Sequence, residues 1–247
     1  MRGSGRLPGT SVHAGAVGGI HERHVANRHP DPRVPGLDGT GLVADDLWLL
    51  GHDDRSGRPL LQPRALGTGL AGALLAELML TRWIGLRPDD AVVIIRDAPS
   101  GAVLRHPLLR QVAGEPRPQP VSSWLRFLAG TAARTVALRL EQAGYVQHAR
   151  SRNPWRQDQW IPVNPDWAIG PVLRVRSALD PAKPLSARAT ALTGLAVACG
   201  LGFRLSQYQA LAGRPVQDAV ACLAPGLREL IAQTQTAVDS AVLSHRT

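Results

Sequence analysis

The sequence predicts a mainly α-helical protein with little β-structure and one hairpin. Apolar residues recur at the spacing of a single helix face, most clearly after Pro225, where the residues on that face are Leu227, Leu230, Ile231, Thr234, Val238 and Val242. Only the run AVVII at residues 91–95 has the continuous β-branched pattern of a buried strand. No alternation of strands and helices follows it, so a parallel α/β sheet is not expected.

The first half of the chain divides into a tail, three helices and the strand. Residues 1 to about 40 are rich in Gly, Pro, His and Arg, which predicts a disordered basic tail and a single folded domain at 41–247. LVADDLWLL, from residue 42, predicts a short amphipathic helix, and a turn through Asp53, Asp54 and Gly57 follows. The segment 65–86 predicts a helix with a broad apolar surface. After the strand, SGAVLRHPLLRQVA at 100–113 predicts a turn and a helix.

The second half begins after a linker that Pro116, Pro118 and Pro120 mark. Residues 123–144 predict a helix that Ser122 or Ser123 caps and that is interrupted near Gly130. ARSRNPWRQDQW at 149–160 then predicts a hairpin in which residues 145–148 and 159–163 pair antiparallel, with Tyr145 and Val163 as anchors of its base. Several helices complete the chain, and Pro225, at a favoured first-turn position, begins the last of them.

The charge of the chain favours an anionic partner. Lys and Arg exceed Asp and Glu by 28 − 19 = +9, and Lys183 is the one lysine. Arginine suits bidentate recognition of phosphate, although a GC-rich genome produces the same bias. Cys199 and Cys222 lie in apolar stretches and are expected to be buried thiols of a reducing compartment. Without a spanning apolar run or a hydrophobic signal core, a cytoplasmic protein is expected, and any membrane contact would be peripheral.

The motifs of the chain predict no enzyme, no metal site and no cofactor. GTGLAG at 67–72 matches a dinucleotide-binding pattern, but Pro63 and Arg64 stand where its buried strand should be, and Gly69 and Gly72 fit close helix packing instead. A phosphate-binding loop and a nucleophile elbow are absent from the sequence. The paired carboxylates at 45–46 and 53–54 are explained by a helix start and a turn. His21 and His24 lack the spacing of a zinc-binding helix.

A winged-helix nucleic-acid binder is the alternative from another class. Residues 122–165 have helix, turn, helix and hairpin in that order, with Arg134 and Arg139 on the second helix and Trp155 at the wing tip. That helix is rich in alanine and offers few polar groups for base edges. These few polar groups make DNA binding the less favoured interpretation.

Five motifs follow one another between about residues 42 and 245. The first is a helix, an acidic-Gly turn and the run Gly69-Leu70-Ala71-Gly72-Ala73-Leu74-Leu75-Ala76-Glu77-Leu78. The next four are DAPSGAVLRHPLL, SSWLRFLA, LRLEQAGYV and WIPVNPDW. In this order they resemble a bacterial-type member of the Golgi phosphoprotein 3 family. The last four are similar to the family's Asp-x-Pro-Thr-Gly segment, its Trp-Leu helix, the approach to its hairpin and the exit from it. The resemblance implies a central bundle wrapped by amphipathic helices, with one projecting hairpin.

The resemblance also implies a non-enzymatic function, the binding of phosphoinositide-type lipid, such as phosphatidylinositol 4-phosphate, in a basic pocket. Eukaryotic members use a Trp and an Arg of the first motif and two Arg of the later helix. The aligned positions here are Gln62, Ala71, Gly130 and Ala133. Arg64, Arg134 and Arg139 lie close by in sequence and are the candidates for a rebuilt phospholipid pocket.

The hairpin is the predicted membrane contact, because the resemblance places it against the bilayer at the inner face of a membrane. Tryptophan and arginine suit a membrane interface. The predicted membrane-contacting residues of the hairpin are Arg150, Arg152, Trp155, Arg156, Trp160 and Ile161. The alternative for either tryptophan is packing under the hairpin. The expected partner is an anionic phospholipid surface and not nucleic acid, while a protein cargo and a homo-oligomer stay open.

Overall fold

Helices dominate the fold, as the sequence predicts. The computed structural model describes residues 39–95, 106–149, 159–209 and 213–243, with side chains left out at 206–209. Within these ranges the helices are α1 (Val43–Gly51), α2 (Pro63–Leu80), α3 (Pro107–Gly114), α4 (Val121–Gln142), α5 (Ile169–Leu179), α6 (Ala187–Ala198), α7 (Gly202–Gln209), α8 (Val216–Ala221) and α9 (Pro225–Leu243). A 3₁₀ turn, Pro165–Ala168, precedes α5.

Two antiparallel strand pairs complete the described structure. β1 (Ile84–Leu86) pairs with β2 (Val92–Ile94), and β3 (Val146–Ala149) pairs with β4 (Gln159–Pro162). Residues 1–38, which make up most of the predicted tail, lie outside the described residues, and so do residues 150–158 between β3 and β4. The predicted tail is therefore neither confirmed nor contradicted.

Helix α2 forms the centre of the core, and every residue from Ala65 to Leu78 is buried. Its glycines lie where other elements come closest. A Cβ atom at Gly67 would overlap the backbone carbonyl of Ala129 in α4, and one at Gly69 would overlap the Cys199 thiol after α6. At Gly72 it would lie 2.5 Å from the Thr234 hydroxyl of α9. The GTGLAG run is thus a helix-packing surface, and no strand precedes it in the described chain.

The expectation that the helix at 65–86 runs unbroken is wrong, because α2 ends at Leu80 and Ile84–Leu86 is a strand. The amide of Trp83 donates to the carbonyl of Leu78 at 2.9 Å, and that of Arg82 to Met79 at 3.0 Å. These bonds form a Schellman motif, whose turning residue adopts a left-handed conformation and is usually glycine. Here it is Arg82, with φ of 59°. Apolar residues stand on both sides of this turn and no glycine marks it, so the residue pattern does not predict it.

The predicted strand at 91–95 is confirmed as β2, but Val93 and Ile94 are only half-buried. The amide of Val92 donates to the Gln119 carbonyl, and that of Val121 to the Asp90 carbonyl. This contact starts α4 at Val121 with Pro120 as its N-cap, so the expected cap by Ser122 or Ser123 is wrong.

Helix α4 is unbroken through Gly130, which contradicts the expected interruption. Gly144, with φ of 80°, ends the helix and leads into β3. The β3–β4 pairing matches the predicted hairpin, with Val146 opposite Pro162 and Ala149 opposite Gln159. Because α4 is one continuous 22-residue helix, the helix–turn–helix that a winged-helix protein needs is absent from this described segment.

Helix α9 begins at Pro225 as predicted, and Leu227, Leu230, Ile231, Thr234 and Val238 on its predicted face are buried. The two cysteines differ from the expectation. Cys199 is buried, which raises the pKa of its thiol to about 12, whereas Cys222 is exposed at the end of α8. Both are free thiols.

Candidate functional site

A cleft of about 680 Å³, termed cleft A, lies where the start of α2, the middle of α4 and the base of the hairpin meet. Pro63 and Leu66 of α2 form one wall, and Gly130 and Ala133 of α4 form another. The side chain of Trp160 in β4 closes a third side. Three elements that are distant in sequence therefore contribute to one concave surface.

The turn between α1 and α2 shapes one edge of cleft A. The Asp53 carboxylate accepts hydrogen bonds from the backbone amide and the hydroxyl of Ser56, both at 2.7 Å, and these bonds lower the pKa of Asp53. Gly57 has φ of 65°, and a Cβ atom there would overlap the backbone carbonyl of Trp160. The turn thus holds Arg58 at the cleft edge while packing directly on the hairpin strand.

The floor of cleft A contains two stacked rings from α1 and its C-terminal end. The rings of Trp48 and His52 lie 3.7 Å apart at an interplanar angle of 18°. The Nδ1 atom of His52 is 2.7 Å from the Trp48 carbonyl, and because a carbonyl only accepts, Nδ1 carries the proton. Burial lowers the pKa of His52 to about 4, so the ring is neutral at pH 7.

A second and larger cleft of about 1140 Å³, termed cleft B, adjoins cleft A. The two clefts share Pro63, Ala129 and Gly130. Cleft B runs between the start of α2, the first half of α4 and the second half of α9. Arg64 lines cleft B and Arg134 lines cleft A, so the structure brings two of the three predicted pocket arginines to adjoining surfaces.

Two arginines that the sequence interpretation did not select, Arg58 and Arg126, complete a positively charged rim, which consists of Arg58, Arg64, Arg126 and Arg134. All four are exposed, and no Asp or Glu among the described residues lines either cleft. None of the four forms an ion pair with another described residue. The spacing of Arg126, Gly130 and Arg134 along α4 could have revealed one stripe of this rim, whereas Arg58 depends on the fold of the turn.

Arg139, the third predicted pocket residue, belongs to a buried ion network and lines neither cleft. Its Nη1 and Nη2 atoms donate to the two Glu77 oxygens at 3.0 Å each, and its Nε donates to Asp45 at 2.7 Å. Asp45 and Glu77 are only 1% and 8% exposed. Burial alone would lower the pKa of Arg139, but the two carboxylates raise it. The guanidinium of Arg139 is therefore engaged in joining α1, α2 and α4.

The neighbouring carboxylate, Asp46, has an arginine of its own. Arg174 of α5 donates from Nε and Nη2 to the two Asp46 oxygens at 2.6 and 2.5 Å. Burial raises the pKa of Asp46 to about 6 against the opposing effect of Arg174. Adjacent helix residues point in different directions, and the two acids accordingly tie α1 to two different helices.

The structure describes the two paired strands of the hairpin but not residues 150–158 between them. Arg150, Arg152, Trp155 and Arg156 lie outside the described residues. The Trp160 ring is half-buried, packs against the core and stacks on His148 with centroids 4.9 Å apart. Tyr145 is buried against Trp167 and confirms one predicted anchor, but Val163 is 54% exposed and is not an anchor.

The packing of Trp160 favours the alternative in which a tryptophan lies under the hairpin. Its Nε1 atom is buried and has no hydrogen-bond partner among the described residues. Ile161, the next residue, is half-buried, and its Cα would lie 3.1 Å from a Cβ atom at Gly57. Both residues thus lie against the body of the protein.

The match to known families agrees with this architecture. A family model described as Golgi phosphoprotein 3 (GPP34) matches residues 43–234, from the first residue of α1 into α9. The chain belongs to the Golgi phosphoprotein 3 family. Of the positions aligned with the family's pocket residues, Gly130 and Ala133 line cleft A, and Gln62 is exposed just before Pro63. Ala71 is fully buried in α2 of this Golgi phosphoprotein 3 family member and contributes to neither cleft.

None of the described helices is long and apolar enough to cross a membrane. The described residues also contain no group of three His, Cys, Asp or Glu side chains arranged to hold a metal ion.

Proposed function

We propose that this Golgi phosphoprotein 3 family member is a peripheral binding protein for anionic phospholipid headgroups, with no chemical step of its own. The observation that carries the proposal is the rim of four exposed arginines, Arg58, Arg64, Arg126 and Arg134, around two clefts that no acidic side chain of the described ranges lines. A surface of one sign of charge attracts an anionic membrane and repels a cationic one.

The expected strength follows from the number of arginines. Each arginine close to an anionic membrane surface contributes about 1 kcal/mol, so four contribute about 4 kcal/mol, or about a thousand-fold in the partition coefficient. This is weak and reversible attachment that salt screens, because the Debye length is about 8 Å at physiological ionic strength.

Cleft A is the proposed site for a single headgroup. Arg58 and Arg134 at its edge can donate paired hydrogen bonds to a phosphate, and the half-buried Trp160 provides a ring surface for a sugar-like headgroup. A phosphoinositide-type headgroup, such as that of phosphatidylinositol 4-phosphate, has both parts. In the hairpin, Arg150, Arg152, Trp155 and Arg156 are the proposed additional membrane contacts.

Vesicle flotation tests the proposal with a matched pair of triple variants. In Arg58→Gln/Arg64→Gln/Arg134→Gln, binding to phosphatidylcholine vesicles containing phosphatidylinositol 4-phosphate should fall by about a hundred-fold, since three arginines are lost. The control is Arg110→Gln/Arg117→Gln/Arg176→Gln, which removes three arginines that are also exposed but line neither cleft. It should bind vesicles nearly as well as the parent protein. An equal loss in both variants would show that net charge alone, and not the rim, attracts the membrane.

Binding to duplex DNA is the outcome that would favour the other class of function. A gel shift on random duplex should show weak retention that disappears at physiological salt. Salt-sensitive DNA retention without any vesicle binding would contradict the lipid proposal.

A further inference from the structure

We propose that cleft B is a binding site for a single-chain anionic amphiphile of the fatty-acid type, taken up as a free monomer. The apolar chain would lie in the cleft, and its carboxylate would be held by Arg64 and Arg126. This ligand is separate from the membrane surface, and its binding does not depend on whether the arginine rim attracts vesicles.

The size of cleft B fits a whole small molecule. Its volume of about 1140 Å³ lies just above the range of roughly 300–1,000 Å³ that is typical of ligand pockets. Small side chains leave this space open: Ala129 and Gly130 on α4 face Thr236 and Ala237 on α9. A Cβ atom at Gly130 would have no neighbour within 4 Å. The cleft is thus a trench between two helices, and Ala237 packs onto the core at its floor.

The charges of cleft B select the sign of the ligand. Within the described part of the chain, Arg64 and Arg126 are the only charged residues that line cleft B, and neither forms an ion pair there. Arg126 makes one long hydrogen bond, 3.4 Å, to the Ser123 hydroxyl. Both guanidinium groups are therefore available to a carboxylate, for which their planar donor arrangement is well matched.

The combination of trench and rim points to an amphiphile. A small polar anion would satisfy the arginines but leave the methyl groups of Ala129, Thr236 and Ala237 in water. A neutral alkyl chain would cover those groups but leave the arginines unpaired. A carboxylate with an alkyl chain satisfies both, because each buried methylene contributes additional hydrophobic stabilisation.

Calorimetric titration with octanoate, decanoate and dodecanoate, below their micelle concentrations, tests this site. Affinity should rise by about four-fold per methylene until the trench is filled, and 1-decanol should bind at least ten-fold more weakly than decanoate. Arg126→Gln should lower decanoate affinity by about ten-fold. The control, Arg110→Gln, should leave it unchanged because Arg110 lines neither cleft.

Blocking variants separate this site from the membrane proposal. Ala237→Phe should fill the trench and abolish decanoate binding while vesicle flotation is retained. Thr236→Phe, at an exposed position that also lines cleft B, serves if Ala237→Phe does not fold. The amphiphile proposal is overturned if affinity is independent of chain length, if 1-decanol binds as tightly as decanoate, or if a folded blocking variant binds decanoate normally. Loss of vesicle binding by the rim variant has no bearing on these results.

Discussion

Replacing Arg139 tests whether this arginine stabilises the fold or binds a ligand. In Arg139→Met, Asp45 and Glu77 keep their buried positions, 1% and 8% exposed, but lose their shared cation. Removing one partner of a buried ion pair costs about 3–5 kcal/mol. The Arg139 side chain is 29% exposed, so the lower end, about 3 kcal/mol, is expected. For a domain of this size that corresponds to a fall in Tm of about 6–12 °C, measured by circular dichroism.

The pH dependence of this loss has a defined sign. Without Arg139, the pKa of Asp45, which burial already raises, rises further above its unfolded value. A carboxyl whose pKa is raised on folding contributes stability at low pH that is lost as pH rises. The destabilisation of Arg139→Met should therefore be largest above pH 7 and should shrink towards pH 5.

A triple variant supplies the control for the buried network. Asp45→Asn/Glu77→Gln/Arg139→Met removes all three charges and keeps acceptors for Thr40 and for the Ala44 amide, so it should recover most of the lost stability. The structural assignment of Arg139 would be refuted if Arg139→Met unfolded within 1–2 °C of the parent protein while its vesicle binding fell.

Five further substitutions give distinct expectations. Gly130→Ala should raise the free energy of unfolding in urea by about 1 kcal/mol, because its Cβ atom would meet open space in mid-helix. Gly67→Ala should lower it by about 1–3 kcal/mol, because its Cβ atom would force α2 away from α4. Burial lowers the pKa of His52 to about 4, so its neutral ring contributes stability above pH 6.5 that is lost as pH falls towards 4. Between pH 7.5 and 4.5 the free energy of unfolding should therefore fall by about 2.5 kcal/mol less in His52→Phe than in the parent protein. Trp160→Ala should lower Tm by several degrees, because the ring packs on the core. Trp155→Ala should weaken vesicle binding and leave Tm unchanged. A loss of Tm in Trp155→Ala together with an unchanged Tm in Trp160→Ala would contradict both assignments.

Local sequence signals were sufficient for most elements of the fold. The apolar periodicity of α2 and α9, Pro225 at the start of α9 and Gly144 before the hairpin each act over a few residues, so they are legible without knowledge of the partners. The left-handed turn at Arg82 was missed because side-chain type gives no hint of it. The order of the five motifs was likewise enough for the family, which the match over 43–234 confirms.

The roles of the arginines were decided by tertiary structure alone. Arg139 and Arg134 are five residues apart on one helix, and nothing in their neighbourhood distinguishes them. Arg139 meets Asp45, 94 positions away, and Glu77, 62 positions away, so it is a structural residue. Arg134 lines a cleft to which no carboxylate of the described residues contributes. A charged side chain is structural or available for binding according to what lies opposite it in space, and that neighbour is brought there by the packing of distant helices rather than by the adjacent residues.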